Sequence, residues 1–204
     1  MTGRRRPGRP AGTDPGASRR ILLDAARHQF AEHGYEATTT RAIAEAAGMQ
    51  AGNLRHHLGG KADVFAAVYD DGAARLGELL ATLVHQDGAT TPGGHLRLLG
   101  ALVAEAPDLV QFMVLAPLER ARHPELRVPL GDGAIGLESL VRGTLRDWAD
   151  DGRLRPGVDA DVLTDVLIAA TFGTVLYGSS VDPTVDLPAA VDTLARLVDG
   201  DVWA

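Results

Sequence analysis

Along this chain apolar residues return every three or four positions, and clusters of Gly, Pro or Thr interrupt them. That spacing is helical. Ile21, Leu22, Ala25, Ala26 and Phe30 predict a first helix over Ser18–His33, stopped by Gly34. One of Thr38, Thr39 and Thr40 is placed to cap a short second helix, which turns Ile43, Ala44 and Ala47 inward and ends at Gly48. A third, about Ala51–Leu58, points Leu54 and Leu58 inward before Gly59-Gly60 breaks the chain. The stripe Val64, Phe65, Val68, Leu76, Leu79, Leu80 and Leu83 predicts a long helix over Lys61–Gln86, ~39 Å from end to end and able to connect two domains.

Composition reads residues 87–94 as a loop, followed by a helix over His95–Glu105. The next helix starts at Pro107, a favourable first-turn residue, and Pro117 should end or kink it. His123-Pro124, Pro129 and two glycines make 123–133 a connection. Three more helices follow, over Ala134–Asp151 (Ile135, Leu137, Leu140, Val141, Leu145 and Trp148 inward), Asp159–Ser180 and Leu187–Val198, with a turn at Arg153–Gly157. No strand-like alternation appears, so the predicted fold is all-α, about nine helices, without an internal repeat.

Charge changes this picture. The net charge of -7 over 204 residues argues by itself against a nucleic-acid partner. Its distribution argues the other way: residues 1–65 sum to +4 and the remainder to -11. One part is suited to a polyanion and the other is not. Residues 1–17, rich in Arg, Gly and Pro, are expected to form a disordered basic arm. Residues 18–65 then form one small helical domain and 66–204 an acidic one. Without cysteine, disulfides, thiolate zinc sites and cysteine nucleophiles are excluded. No apolar run reaches the ~18 residues of a membrane span, and the basic N-terminus lacks the apolar core of a secretory signal. The expectation is a cytoplasmic protein with no membrane partner.

Two short helices around a Gly turn, after a longer helix, form a helix-turn-helix pattern over about 39–58. The second must be slim enough to enter the major groove, with hydrogen-bonding groups on its outer face. With Leu54 and Leu58 inward, Gln50, Asn53, Arg55, His56 and His57 are left as polar side chains. Thr39 and Thr40 stand at the start of the first short helix, where hydroxyls and free N–H groups suit a phosphate, and Arg41 is next to them. In the arm, Arg4, Arg5, Arg6 and Arg9 are further candidates; Gly8-Arg9-Pro10 resembles the core of an AT-hook, and arginine is favoured in a narrow A·T minor groove. His56 and His57 point about 100° apart on a helix, so they do not form a metal pair. One is expected to face the DNA backbone and the other to pack inward. No metal and no other cofactor is expected.

Residues 20–68 resemble the TetR/AcrR family of bacterial transcription regulators. Arg20-Ile21-Leu22 with Ala25-Ala26, Phe30-Ala31-Glu32-His33-Gly34-Tyr35, Ala37-Thr38, Ile43-Ala44-Glu45-Ala46-Ala47-Gly48, Gly52-Asn53-Leu54-Arg55-His56-His57-Leu58 and Lys61 carry the resemblance, over a quarter of the chain. It implies a sequence-specific, ligand-responsive regulator, a repressor binding a palindromic operator as a homodimer. It brings the turn Gln50, Ala51 and Gly52 to base edges, where Ala51 meets a thymine methyl and Gly52 admits close backbone approach. It also implies that Lys61 binds a phosphate. Two residues depart from the family, which usually has Tyr at Arg55 and Phe at Leu58. Arg55 can clamp a phosphate or pair with guanine, and the sequence leaves both open.

The resemblance further implies that the last two helices pair with their twins in a four-helix bundle. Leu163, Val166, Leu167, Ala170, Thr174, Val191, Leu194, Ala195 and Val198 are its candidate residues. A two-fold operator needs two recognition helices ~34–36 Å apart. An effector cavity is implied as well, with Phe112, Met113, Leu115, Leu118, Trp148, Phe172 and Tyr177 as candidate lining and His85, Gln111 and Thr171 as polar anchors. A small apolar or amphipathic effector would move the helix Lys61–Gln86 and shift the spacing.

Catalytic patterns fail on context. Gly131-Asp132-Gly133-Ala134-Ile135-Gly136 satisfies the dinucleotide string, but no strand precedes it. Ser139 lacks the closing glycine of a nucleophile elbow. No catalytic residue and no enzyme activity is expected. The alternative is an all-α interaction protein with a degenerate helix-turn-helix, kept open by Arg55.

Overall fold

A computed structural model of the chain describes residues 15–87, 91–126 and 136–200; the side chains at 15, 80, 83–87, 137 and 140 are outside the description. Among the described residues there are nine α-helices and no strand. The arm arginines and the string 131–135 lie outside them.

Gly34 shapes the first corner. It interrupts α1 (Pro15–Ala37) at φ 75° and ψ 174°, a backbone region that is essentially reserved for glycine. Thr38, fully buried, holds the broken end by donating its hydroxyl hydrogen to the carbonyls of Gln29 (3.0 Å) and Gly34 (2.7 Å). A Cβ on Gly34 would stand 3.3 Å from Glu119 Oε1. Gly34→Ala is therefore expected to cost roughly 1–3 kcal/mol of stability. A urea melt reads this directly, and a midpoint equal to wild type would contradict the strained corner.

Thr39 then caps α2 (Thr40–Ala46), its Oγ1 accepting from Ala42 N at 3.1 Å. Ile43 and Ala44 are fully buried, and Gly48 at φ 66° turns the chain into α3 (Ala51–Leu58). Leu54 and Leu58 point inward as the periodicity requires. The long helix α4 (Lys61–Asp87) passes behind. Phe30, Tyr35 and Phe65 pack together with the distant Phe112; the Phe30 and Phe65 ring centroids are 4.9 Å apart.

Several boundaries differ from those expected from the sequence: α1 already begins at Pro15, inside the expected arm, and is carried past Gly34 to Ala37. α5 spans Pro92–Glu105, so part of the expected loop is helix. Thr91 caps it by accepting from Gly94 N at 2.9 Å, and Pro92 takes the first turn, where its missing N–H costs nothing. Gly93 has no Cβ because the Asp199 carboxylate occupies that space. α6 runs Pro107–Arg122 and does not end at Pro117. The proline removes one backbone bond, while the burial of Phe112, Met113, Val114 and Ala116 immediately before it holds the helix to its neighbours.

A 3-10 turn, Pro124–Leu126, leads away from α6, and α7 follows at Gly136–Asp150. Asp159 caps α8 (Ala160–Leu176), accepting from Asp161 N and Val162 N. A π-turn, Tyr177–Val181, prolongs it. The combined run Ala160–Val181 has 22 residues and is long and apolar enough to cross a membrane, which corrects the expectation that no segment qualifies. Its composition has another physical source: one face lies in the chain's own core at Thr164, Leu167, Thr171 and Val175, and the other is an exposed apolar stripe. Gly178 is needed at the next corner because a Cβ there would collide with Leu187. α9 (Leu187–Asp199) lies along α5, with Val191 and Ala195 fully buried and Gly200 closing it in the left-handed region.

His95 on α5 is 1% exposed, and its Nδ1 has no partner. Burial pushes its pKa below the usual histidine value. The unfolded chain therefore binds a proton that the folded chain refuses, and stability falls as pH drops below about 6.5. His95→Leu removes both the orphan nitrogen and the titration. The variant is expected to lose less stability than wild type between pH 7 and 5; parallel losses would show that His95 is not responsible.

Candidate nucleic-acid interface

On α3 the two leucines that face the core leave Ala51, Gly52, Asn53, Arg55, His56 and His57 all exposed, with Gln50 exposed at its N-cap. Nothing lies within 4 Å of the Cβ position of Gly52, so the chain's own atoms leave its approach open. The helix therefore presents a continuous polar face with its cationic side chain, Arg55, in the last turn. Both histidines are on this open surface with their rings 5.5 Å apart. The expectation that one of them packs inward is corrected, because Leu54 and Leu58 alone fill the inward side.

Around α3 the other candidates are partly committed to internal bonds. Thr39 uses its hydroxyl oxygen for the α2 cap, and Arg41 donates to Glu45 at 2.8 Å. That bond raises the Arg41 pKa further. Thr40 is half-buried. Lys61 donates to the carbonyl oxygens of Tyr35 (2.8 Å) and Glu36 (3.1 Å), and its ammonium sits 4.3 Å from the Tyr35 ring centroid. It thus closes the C-terminal end of α1, and an ammonium has only one further donor to offer. Burial and the nearby Glu125 carboxylate push the Tyr35 phenol up to about 12.

Residues 22–68, which contain this face, match the family described as bacterial regulatory proteins, tetR family. The HTH-type transcriptional repressor AcnR of Corynebacterium glutamicum is 30% identical over 196 residues, covering 94% of this chain and 96% of that protein. The chain belongs to the TetR family of transcriptional regulators. The HTH-type transcriptional repressor Rv1474c of Mycobacterium tuberculosis is also 30% identical, over 89% of this chain and 93% of its own length. The structure of FadR from Bacillus subtilis in complex with stearoyl-CoA shares the fold, with a TM-score of 0.72 at 19% identity, over 91% of this chain and 100% of that one.

In this TetR-family chain the expected effector residues do not gather at one place. Phe112 and Met113 are each 1% exposed and seal α6 against α1 and α4. Gln111 donates from Nε2 to the Ala31 carbonyl at 3.4 Å. These three therefore belong to the joint between α6 and α1, with the bond of Tyr35 N to Glu119 and the His28–Asp108 pair. Leu115 and Phe172 are half-buried, Leu118 and Tyr177 are exposed, and Thr171 is buried with its hydroxyl unpartnered. His85 has its side chain outside the described residues. Of the expected set, among the described residues, only Trp148 lines the cleft of about 470 Å³ between α5, α7, α8 and α9. The Arg153 guanidinium covers its ring at 3.9 Å. Leu163, Leu167 and Val198, expected from the sequence at the interface, line the same cleft, together with Thr91 and Asp199, which no sequence signal marked.

The expected dimer residues divide in the same way. Leu167, Val191 and Ala195 are buried in the chain's own core, at 5%, 0% and 0% exposure. Val166 is exposed, while Leu163, Ala170, Thr174, Leu194 and Val198 are half-buried. In the C-terminal part the exposed large apolar side chains are Val158, Val162, Val166, Tyr177 and Val181 on or beside α8, where Ala169 and Gly173 complete the stripe, and Leu197 on α9.

Proposed function

We propose that this regulator is a repressor that binds a palindromic operator as a homodimer, α3 of each copy lying in a major groove, and releases it when a small effector binds. The observation that carries the reading is the face of α3: seven solvent-facing positions interrupted only by Leu54, in a helix too short to need them for stability. Gln50, Ala51, Gly52 and Asn53 are proposed to meet base edges, Arg55 a guanine or a phosphate, and His56 and His57 the backbone. Thr39, Thr40, Arg41 and Lys61 are proposed as phosphate contacts at the edges, and Arg4, Arg5, Arg6 and Arg9 as minor-groove contacts. Residues 18–65 act as the DNA-binding unit, and 66–204 hold the effector and the second copy.

The copies are proposed to meet along the stripe Val158, Val162, Val166, Ala169 and Gly173, with Tyr177 and Val181 at its end. A row of exposed valines on one helix is apolar surface that water penalises until a partner covers it. The names of the AcnR relatives support repression, and the stearoyl-CoA in the FadR structure supports a small-molecule effector. A DNA-binding protein with these partners works in the bacterial cytoplasm. The test is to let the purified full-length chain select fragments from its own genome at moderate salt and to footprint the survivors. A two-fold site with half-sites one helical turn apart is expected. Selection of no site, or of an asymmetric one, would overturn the proposal.

A further inference from the structure

We propose that α1 and α6 are joined by a proton-operated latch centred on His123, which fixes the recognition helix to the acidic body in mild acid and frees it above the range in which histidine loses its charge. The DNA side of this inference rests on the regulator reading above; the latch itself does not. α2 and α3 pack on α1, whereas α6 belongs to the body. Along the joint the polar contacts run in one order: His28 to Asp108, Gln111 to the Ala31 carbonyl, Tyr35 N to Glu119, and His123 to Glu36. A titratable imidazole stands at each end.

The inner end is the stronger. The His123 side chain, at the C-cap of α6, is 19% exposed and faces carboxylates from three elements. Its Nε2 is 3.2 Å from Glu119 Oε2 on α6, and its Nδ1 is 3.8 Å from both Glu36 Oε2 of α1 and Glu125 Oε1 of the 3-10 turn. Its ring centroid lies 4.8 Å from that of Tyr35. From α4, Lys61 bonds to the carbonyls of Tyr35 and Glu36, and Asp63 acts on the Tyr35 phenol through its charge. At the outer end His28 is exposed, between Asp108 Oδ2 at 3.3 Å and Glu32 Oε2 at 3.4 Å; His33 shares the Glu32 carboxylate, at 3.8 Å. Arg27 and Arg75 in the same region pair with Asp24. Solvent screens the outer pair, so it contributes less.

Histidine is the side chain that ordinarily changes charge between about pH 5 and 8. A neutral imidazole leaves Glu36, Glu119 and Glu125 around a ring that cannot balance them. An imidazolium forms a charge-assisted pair with Glu119 and ion pairs with Glu36 and Glu125, and the Tyr35 ring offers it a cation–π face. The proton thus adds attraction between α1, α6 and the turn and relieves repulsion among the carboxylates. The tie is present in acid and lost as pH rises through the histidine range. His95 acts in the opposite sense on the whole fold, so the latch is read as a difference between variants at each pH.

For DNA the consequence is stiffness. With the latch closed, the body sets the distance between the two recognition helices of a dimer, and a displaced half-site is reached only by straining the joint. With it open, each DNA-binding unit can tilt toward its half-site. Acid is therefore expected to sharpen the demand for one half-site spacing.

The experiment begins with the full chain without DNA. Exchange of the Tyr35 amide, whose N–H reaches across the joint to Glu119 Oε1, is followed by NMR at about pH 6 and about pH 7.5, each rate divided by its unfolded-chain value. Protection is expected to be at least about threefold higher at the lower pH, the size of effect that one partly exposed ion pair produces. His123→Gln, and Glu36→Gln from the other side of the joint, are each expected to remove most of that increase while melting cooperatively; Asp108→Asn removes a smaller part. The operator selected from the genome is then compared with a copy carrying one extra base pair between its half-sites. For wild type the affinity lost to the insertion is expected to be at least about threefold larger at the lower pH, and for His123→Gln equal at both. Protonation of His56 and His57 on α3 strengthens both DNAs alike and cancels in this ratio. Equal protection of the Tyr35 amide at the two pH values, an increase that survives in both variants, or a spacing penalty that ignores pH would each overturn the proposal. Selection of no genomic fragment sinks the regulator reading instead, and it leaves the Tyr35 amide to decide the latch.

Discussion

Replacing Val162 and Val166 together with aspartate is expected to leave a folded monomer without most of its operator affinity. The two side chains are 59% and 57% exposed in the single chain, so the change opens no cavity. Surface substitutions of that kind usually alter stability by no more than about 0.5 kcal/mol. In the proposed seam the same change places four carboxylates, two from each copy, where valines would have met. Desolvating unpaired charges costs far more than the apolar contact returns. Without its twin, the second recognition helix is no longer held near its half-site, and the drop in effective concentration costs roughly 10²–10⁴ in affinity. Sedimentation velocity reads the association state, a gel shift reads the affinity, and a thermal melt confirms the fold. A double variant that still sediments as a dimer would remove this stripe from the seam.

Arg55→Ala is expected to lower operator affinity by about ten- to a hundredfold, the 1–3 kcal/mol that one good bidentate base contact is worth. Arg55 is exposed, and no bond to it is needed to hold α3, whose ends rest on Leu54, Leu58 and the Gly59 corner. The melt should therefore stay where it is while binding falls. The salt dependence separates the two open roles. If Arg55 pairs with guanine, relative affinities for operator variants change at one position in each half-site and the salt slope stays nearly constant. If it clamps a phosphate, affinity falls equally for all sequences and the slope becomes shallower, by about 1 for each phosphate that is no longer neutralised. Undiminished binding by this variant is the result that would detach α3 from the DNA and favour the degenerate helix-turn-helix.

Much of the helical layout is legible along the chain. Ile43, Ala44, Leu54 and Leu58 have the burial their spacing predicts, and α3 begins and ends where the pattern places it. Such features are local: a three- or four-residue period and a glycine at positive φ describe themselves within one or two turns. The packing of distant segments leaves no such mark. Pro92-Gly93-Gly94 reads as a loop by composition, yet it is the first turn of α5, because Asp199 approaches it from more than a hundred residues away. Pro117 reads as a helix end or kink, and burial of the preceding turn carries α6 past it. Lys61 is marked in the sequence only by the phosphate role that the resemblance implies, and nothing there shows that its ammonium also closes α1.

The two C-terminal helices show the limit most clearly. By itself the amino-acid order determined that they are apolar, helical and capped, and it singled out α3 as a polar face on a small helix. Only the tertiary structure decided that Leu167, Val191 and Ala195 serve the chain's own core, that Val162 and Val166 are left uncovered, and that Leu163 and Trp148 border a cleft. The physical reason is that burial is non-directional: a leucine or valine gains the same transfer free energy against its own chain, a second copy or a ligand. Periodicity reveals that a face must be covered, and three-dimensional packing reveals by what.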